Sequence, residues 1–133
     1  MSLLAILAAL NSLGSVTDCS KGTSIFKLTS MVLTPDPPIR GQNSTLSLSM
    51  TVPQEVLSGT ATYSVIYNYI PLTPKVEDLC STLPDHCPIH LGQLNTYSSV
   101  PFDESLSGTI TLKIEWKDAA NMQLMCVSIN VNV

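Results

Sequence analysis

The side chains of this sequence that could do chemistry are concentrated in one short segment. Cys80 and Cys87 lie close together, with His86 between them and His90 just beyond. These residue types bind zinc, but zinc sites usually combine tight Cys-x2-Cys or His-x3-His pairs with a matching second half. The other two cysteines are remote in the sequence, so we predict no metal site.

The same cysteines fit a disulfide framework better than a metal site. An even number of cysteines in a short chain is typical of proteins from oxidising compartments. Four cysteines allow three connectivities. The short spacing between Cys80 and Cys87 favours a local disulfide, which would leave Cys19 to pair with Cys126 and join the two ends of the chain.

No catalytic arrangement can be recognised in the sequence. It contains no nucleophile elbow, no Gly-rich phosphate loop and no His-x-x-x-His helix motif. Two carboxylate pairs, Glu77–Asp78 and Asp103–Glu104, are predicted to lie in loops, where acid–base catalysis would lack a desolvated and oriented partner. We therefore predict that the protein is not an enzyme and requires no cofactor.

The elements that must position any site are predicted to be strands. Four segments alternate between apolar and polar residues, as strands with one buried face do, and two weaker strands accompany them. The four clear segments and then the two weaker ones are Leu46–Val52, Ala61–Tyr69, Ile110–Trp116 and Val127–Val133, then Ile25–Thr34 and Leu94–Val100. Turn-forming residues separate them, so the pattern predicts an all-β sandwich or barrel with at most one helical turn, near residues 76–83.

The composition excludes several classes of protein. The 133 residues suffice for one domain, and the 12% that are charged compare with roughly 25% in ordinary soluble domains. Six Lys and Arg against ten Asp and Glu, without a basic cluster, argue against nucleic-acid binding, which depends on neutralising phosphates. The longest apolar run, residues 3–10, is far shorter than the roughly 20 residues of a membrane-spanning helix.

The beginning of the chain predicts export. Residues 1–10 have the apolar core of a secretory signal peptide, and the small residues Ser12 and Gly14 suit cleavage by signal peptidase. We interpret residues 1–14 as a signal peptide and residues 15–133 as the mature domain, with a buried N-terminal helix as the alternative. Asn43 begins an acceptor sequence for N-glycosylation, which supports secretion weakly.

An ordered set of short segments covers the predicted mature chain: Asp18-Cys19-Ser20, Leu33 to Pro38 with Gly41, Asp78-Leu79-Cys80, Cys87-Pro88-Ile89 with Gly92, Glu115-Trp116 and Leu124-Met125-Cys126. This set resembles the ML (lipid-recognition) family. That family includes secreted Niemann-Pick type C sterol carriers, fungal phosphatidylglycerol/phosphatidylinositol transfer proteins and mite group-2 allergens. Members of the family that are similar to the sterol carriers have a further disulfide in the first hairpin, where this sequence has Pro35 to Pro38 and no cysteine. In that respect it looks more like the phospholipid-transfer branch, whereas Glu115-Trp116 resembles the sterol-carrier side.

The resemblance implies an immunoglobulin-like β-sandwich of about seven antiparallel strands. It also implies the disulfides Cys19–Cys126 and Cys80–Cys87, and an apolar ligand cavity between the two sheets. The inward-facing strand positions, together with Ile89 at the rim, are the candidate lipid-binding residues: Leu46, Leu48, Met50, Val65, Tyr67, Tyr69, Ile89, Ile110, Leu112, Ile114, Met125, Val127 and Ile129. Tyr67 and Tyr69 are predicted to place hydroxyl groups at a solvated mouth, and residues 71–74 are predicted to form its rim together with Ile89.

The function implied by the resemblance is lipid transport. We expect a secreted or endolysosomal monomer that carries a sterol or a phospholipid, such as phosphatidylglycerol or phosphatidylinositol, and contacts membranes or a membrane acceptor protein transiently. The alternative is a secreted immunoglobulin-like module with a solid core, whose main activity is protein interaction or lipid presentation. An internal cavity would favour the carrier, and an exposed apolar patch in place of the cavity would favour the module.

Overall fold

The strands form where the sequence alternates between apolar and polar residues. The structure, a computed structural model, describes residues 15–133, and the predicted signal peptide lies outside the described residues. The strands are β1 (Val16–Asp18), β2 (Lys27–Thr34), β3 (Gln42–Val52), β4 (Gly59–Tyr67), β5 (Ile70–Pro71), β6 (Lys75–Asp78), β7 (Gly92–Phe102), β8 (Thr109–Asp118) and β9 (Gln123–Asn132). One short helix, α1 (Leu79–Thr82), lies between β6 and β7.

The strands form two antiparallel sheets. The large sheet has six strands in the order β1-β9-β8-β4-β5, with β6 also paired to β4, and the small sheet has the order β2-β3-β7. The apolar faces of the two sheets meet in one core. The predicted all-β sandwich is confirmed, with more short edge strands than the sequence indicated. Within residues 15–133 no helix is long and apolar enough to cross a membrane.

The pairing register of the large sheet arranges its inner side chains in rows across β4, β8 and β9. We number the rows from the end of the sandwich where β4 ends and β8 begins. Rows 1 to 4 are Tyr67–Ile110–Val131, Val65–Leu112–Ile129, Tyr63–Ile114–Val127 and Ala61–Trp116–Met125. Because successive residues on one face are two positions apart, neighbouring rows are about 7 Å apart.

Beyond row 4 the gap between the sheets is filled. The rings of Phe26 and Trp116 meet edge to face, with 6.4 Å between their centroids. Met50, Leu79 and Leu124 are also fully buried at this end. We call it the closed end, since large side chains from both sheets and from α1 occupy the space.

Two local predictions differ from the structure. The alternation through Tyr69 predicted a longer β4, but Asn68 and Tyr69 have φ values of 50° and 69°, which turn the chain after Tyr67. The predicted helical turn shrinks to α1, because residues 75–78 pair with β4 instead. Asp78 caps α1 by accepting a 3.1 Å hydrogen bond from the Cys80 N–H.

Both predicted disulfides are confirmed. Cys19–Cys126 joins the segment after β1 to β9 and closes a loop with a sequence separation of 107 residues. Beside it, the Cys19 N–H donates to the Cys126 carbonyl oxygen at 3.1 Å. Cys80–Cys87 closes a loop with a separation of 7 residues around the end of α1.

The two disulfides should differ in their contribution to stability. On the chain-entropy model the long loop contributes about 4–5 kcal/mol and the short loop about 2–3 kcal/mol. We expect the double variant Cys19→Ser/Cys126→Ser to lose about twice as much free energy of unfolding as Cys80→Ser/Cys87→Ser. Urea unfolding of the two variants and the unchanged protein measures this difference. Equal losses would mean that the long disulfide does not constrain the unfolded chain.

Candidate functional site

An apolar cavity of about 340 Å³ opens between the two sheets at rows 1 and 2. We call it the main cavity. Its walls come from β4, β7, β8, β9 and the loops that follow β5 and β7: Val65, Tyr67, Leu72, Val100, Pro101, Phe102, Leu106, Ile110, Leu112, Ile129 and Val131. None of these side chains carries a charge, so the site suits a hydrocarbon ligand.

The small sheet contributes Val100, Pro101 and Phe102 of β7 to the main cavity, whereas β3 carries a small residue at this level. The inward positions of β3 are Ser44, Leu46, Leu48 and Met50, all of them buried. Ser44 pairs with Val100, which lines the main cavity, whereas Leu46 pairs with Ser98 farther along the gap. The Ser44 hydroxyl donates to the Pro35 carbonyl oxygen at 3.1 Å, so this small buried residue keeps its hydrogen bond.

The mouth of the main cavity is held by hydrogen bonds between two loops. The Tyr67 hydroxyl accepts from the Ser107 N–H at 3.1 Å, which ties the phenol to the loop before β8. Asn68 reaches across the same loop, donating to the Ser107 carbonyl oxygen at 3.0 Å and accepting from the Thr109 N–H at 2.9 Å. Gly108 permits this approach, since a Cβ there would lie 2.0 Å from the Asn68 amide oxygen.

The turn that carries Leu106 to the mouth is organised by Asp103. The Leu106 N–H donates to the Asp103 carbonyl oxygen at 3.0 Å, and the Ser105 N–H donates to the Asp103 carboxylate at 2.9 Å. Hydrogen bonds from the backbone N–H and the hydroxyl of Ser105 lower the pKa of Asp103, so the carboxylate stays ionised over a wider range of acidic pH.

A group of exposed apolar side chains surrounds the turn between β4 and β5, next to the mouth. We call Ile66, Tyr69, Ile70 and Leu72 the hairpin patch; they are exposed by 41%, 84%, 64% and 50%. No residue from 66 to 74 carries a charge. Leu72 belongs both to this patch and to the lining of the main cavity, so the patch continues into the cavity.

A second, smaller cavity of about 100 Å³ lies at rows 3 and 4, farther into the same gap. Its lining residues are Leu46, Leu48, Tyr63, Thr82, Leu83, Pro84, Thr96, Tyr97, Ser98, Ile114, Trp116 and Met125. Burial raises the pKa of the Tyr63 phenol, Glu77 raises it further, and Lys75 lowers it in part. The phenol therefore remains neutral at physiological pH.

The structure separates the predicted site residues into groups. Those around the main cavity are Val65, Tyr67, Ile110, Leu112 and Ile129. Those around the second cavity are Leu46, Leu48, Ile114 and Met125. Met50 and Val127 are fully buried and line neither cavity.

Tyr69 and Ile89 line neither cavity. The turn after Tyr67 directs Tyr69 into solvent. Ile89 forms a bridge with Val56 ahead of β4, at the closed end, and therefore does not reach the rim. The predicted rim segment, residues 71–74, contributes Leu72 to the lining of the main cavity, whereas Leu106 was not predicted because its segment shows no strand periodicity.

The two histidines lie away from the main cavity. His86 Nδ1 is 3.0 Å from the Cys80 carbonyl oxygen, and His90 Nδ1 is 3.4 Å from the Glu55 carboxylate. Among residues 15–133 no group of three or more His, Cys, Asp or Glu side chains is placed to hold a metal ion.

Comparison with known proteins identifies a family and several relatives to which this chain is similar. The family model of the ML domain matches residues 14–133. A Dictyostelium discoideum protein, named as a suspected phosphatidylglycerol/phosphatidylinositol transfer protein, is 30% identical over 120 residues, covering 88% of this chain and 84% of that protein.

Two solved structures share the fold. A Niemann-Pick type C2 protein from the Japanese carpenter ant matches with a TM-score of 0.66 and 17% identity, covering 87% of this chain and 96% of that one. Chicken MD-1 complexed with lipid IVa matches with a TM-score of 0.64 and 13% identity, covering 88% of this chain and 87% of that one.

A larger side chain at Leu112 should fill the main cavity. We expect Leu112→Trp to weaken binding of an apolar fluorescent probe about tenfold, since displacing contacts equal to about two methylenes costs that much. Lys113→Trp is the matched control, because Lys113 is exposed on the opposite face of β8. A probe titration followed by fluorescence measures both. Unchanged binding by Leu112→Trp would place the probe outside the cavity.

Proposed function

Because this chain belongs to the ML domain family, whose model matches residues 14–133, we propose that it is a lipid carrier that holds one lipid in the main cavity. The observation that carries the proposal is an uncharged cavity of about 340 Å³ that opens at the rim of the sandwich. A solid-core interaction module would not need this space. The carrier therefore accounts for the cavity better than the module does.

The energetics of such a cavity suit transfer more than permanent storage. Each buried methylene is worth about 0.8 kcal/mol, so an acyl chain of about 16 carbons gains about 13 kcal/mol on leaving water. The bilayer offers nearly the same gain. The free energies of a lipid in the membrane and in the protein are then nearly equal. A small difference in conditions therefore decides the direction of transfer.

Phosphatidylglycerol and phosphatidylinositol are the cargo that we propose first. The name of the Dictyostelium relative supports this choice, as does the absence of cysteine between Pro35 and Pro38. Arg40 lies beside the mouth, with its Nη1 in a long contact of 3.5 Å with the Leu106 carbonyl oxygen. Its guanidinium can pair with a lipid phosphate, and Asp103 and Glu104, in the same surface depression, can accept hydrogen bonds from glycerol or inositol hydroxyls.

The hairpin patch is the surface that we propose to contact membranes. It is apolar, uncharged and continuous with the cavity through Leu72. A lipid that leaves a bilayer beneath this patch could enter the mouth without exposing its chains to water. Burial of the patch in the outer part of the bilayer would also offset the cost of exposing these side chains to solvent.

The disulfides and the predicted signal peptide support a proposal about the compartment. We propose that the chain is exported and acts as a monomer outside the cell or in the lumen of lysosomes or endosomes. Two disulfides suit an oxidising compartment. Asn43 is exposed and accessible to glycosylation.

The proposed function is tested by the lipids that the protein binds and moves. The protein purified from its expression host is extracted and its lipids are identified by mass spectrometry. Transfer is then measured between vesicles that contain phosphatidylglycerol, phosphatidylinositol or a fluorescent sterol. We expect bound phospholipid and transfer of the two anionic lipids. A preference for the sterol would correct the cargo, and a lipid-free protein without transfer would refute the carrier.

Loss of the hairpin patch should slow transfer without weakening the fold. We expect Ile70→Ser to reduce the rate of transfer between vesicles several-fold, because the protein loses apolar contact with the bilayer. Leu91→Ser is the control, since Leu91 is also exposed, by 70%, but lies just before β7 and lines neither cavity. Equal rates for the two variants would exclude the patch as the membrane contact.

The charge of Arg40 should set the preference for anionic headgroups. We expect Arg40→Gln to reduce the preference for phosphatidylglycerol over phosphatidylcholine about tenfold, which is about 1.4 kcal/mol, within the range of a charge-assisted hydrogen bond. Lys113→Gln removes the same charge from the outer face of β8 and serves as the control. Competition binding with vesicles of the two lipids gives the ratio. An unchanged ratio for Arg40→Gln would exclude Arg40 from the headgroup site.

A further inference from the structure

One long edge of the small sheet lies open along β7. Among residues 15–133, β7 pairs with β3 alone, over all 11 residues from Gly92 to Phe102. The sheet ends at β7, so no strand lies on its other side. Backbone N–H and C=O groups along such an edge are a template on which a strand of another chain can pair. We call this side of β7 the open edge.

The open edge lacks most of the features that prevent such pairing. Proteins protect an edge with charged side chains, bulges, prolines or a short strand. β7 is long, carries no charged residue and keeps an unbroken register with β3, and Pro101 interrupts only its last residues. By contrast β2, at the other edge of the same sheet, begins with Lys27 and has a bulge between Leu28 and Ser30. The small sheet is therefore most prone to pair through β7.

Asn43, the predicted glycosylation site, lies beside the open edge. Its side chain is on the exposed outer face of β3, since the next residue, Ser44, is buried in the core. Pairing between β2 and β3 begins only at Thr34 and Thr45, whereas Asn43 pairs with Pro101 of β7. At the level of Asn43, β7 is therefore the only neighbouring strand in the described part of the chain.

A surface depression of about 350 Å³ adjoins Asn43 on the side of β7. We call it the Asn43 depression, and its lining residues are Gly41, Asn43, Pro101, Phe102, Asp103 and Glu104. The Pro101 ring is exposed and offers an apolar surface to one face of a sugar. The carboxylates of Asp103 and Glu104 are hydrogen-bond acceptors for sugar hydroxyls. A sugar attached to Asn43 would therefore be held toward β7.

We propose that Asn43 carries an N-linked glycan whose first sugar occupies the Asn43 depression and whose outer sugars cover the open edge. A glycan is bulky and solubilising, so it excludes a second copy of the chain from β7 without adding a charge to the strand. The glycan then keeps the carrier monomeric. The proposal rests on the proposed export of the chain, because this acceptor sequence is used in secreted proteins.

Removal of the glycan tests this role. The chain is secreted from a eukaryotic cell line, mass spectrometry identifies the sugar on Asn43, and sedimentation equilibrium gives the mass. Asn43→Gln and Thr45→Ala each destroy the acceptor sequence, and Ser47→Ala, on the same outer face of β3, is the control that keeps it. We expect the unchanged protein and the control to be monomers and both glycan-free variants to double in mass at the same concentration. A secreted protein without sugar on Asn43, or glycan-free variants that remain monomers, would overturn the proposal.

A charge on the open edge locates the pairing in the glycan-free protein. Tyr97, the middle residue of β7, and Val32 of β2 lie on either side of Ser47 and are exposed by 74% and 45%. In the Asn43→Gln background, Tyr97→Lys places two like charges close together when β7 pairs antiparallel with its copy. We expect Tyr97→Lys to restore the monomer, whereas Val32→Lys, the matched control, leaves the dimer intact. The same result for both variants would exclude β7 as the pairing edge.

Lipid transfer by the same variants separates this proposal from the proposed function. Glycan-free variants that stay monomeric and still transfer phosphatidylglycerol between vesicles would overturn the role of the glycan and leave the carrier intact. A glycosylated monomer that binds and transfers no lipid, with glycan-free variants that dimerise through β7, would overturn the carrier and leave the role of the glycan intact.

Discussion

The structure depends on a gap between the two sheets that is filled by large side chains at the closed end and left open at the mouth. Leu46 and Leu48 leave only a small cavity beside rows 3 and 4, whereas Ser44, next along β3, lies toward the open end. A leucine at that position would extend the filled core toward the mouth. The Ser44 hydroxyl bonds to the Pro35 carbonyl oxygen, so the space is kept without an unpaired buried group.

An unfilled interior lowers stability, because the residues around a cavity lose contacts that a packed core would supply. The closed end compensates through Phe26, Trp116 and Leu124, and the Cys19–Cys126 disulfide restricts the unfolded chain. At the open end, hydrogen bonds of Tyr67 and Asn68 to the loop before β8 hold the rim. Packing and covalent constraint are thus concentrated away from the mouth, and directional hydrogen bonds maintain the mouth itself.

The alternation of apolar and polar residues predicted the main strands and their buried faces. The spacing of Cys80 and Cys87 predicted the disulfide pairing. The alternation of apolar and polar residues does not reveal which buried residues meet across the gap between the sheets. That depends on the register of β3 with β7 and on the register of β4, β8 and β9. The prediction therefore grouped Val127 with residues that line a cavity, although Val127 is fully buried. Leu106 lies in a loop without periodicity, so only the folded structure places it at the rim beside Leu72.

We propose that a lipid chain lies between the two sheets. It is tested most directly by intermolecular nuclear Overhauser effects in a complex of isotope-labelled protein with unlabelled phosphatidylglycerol. We expect contacts from the acyl chain to the methyl groups of Ile110, Leu112 and Val131, which line the main cavity. Contacts confined to Ile70 and the rest of the hairpin patch, with none from inside the sandwich, would contradict it.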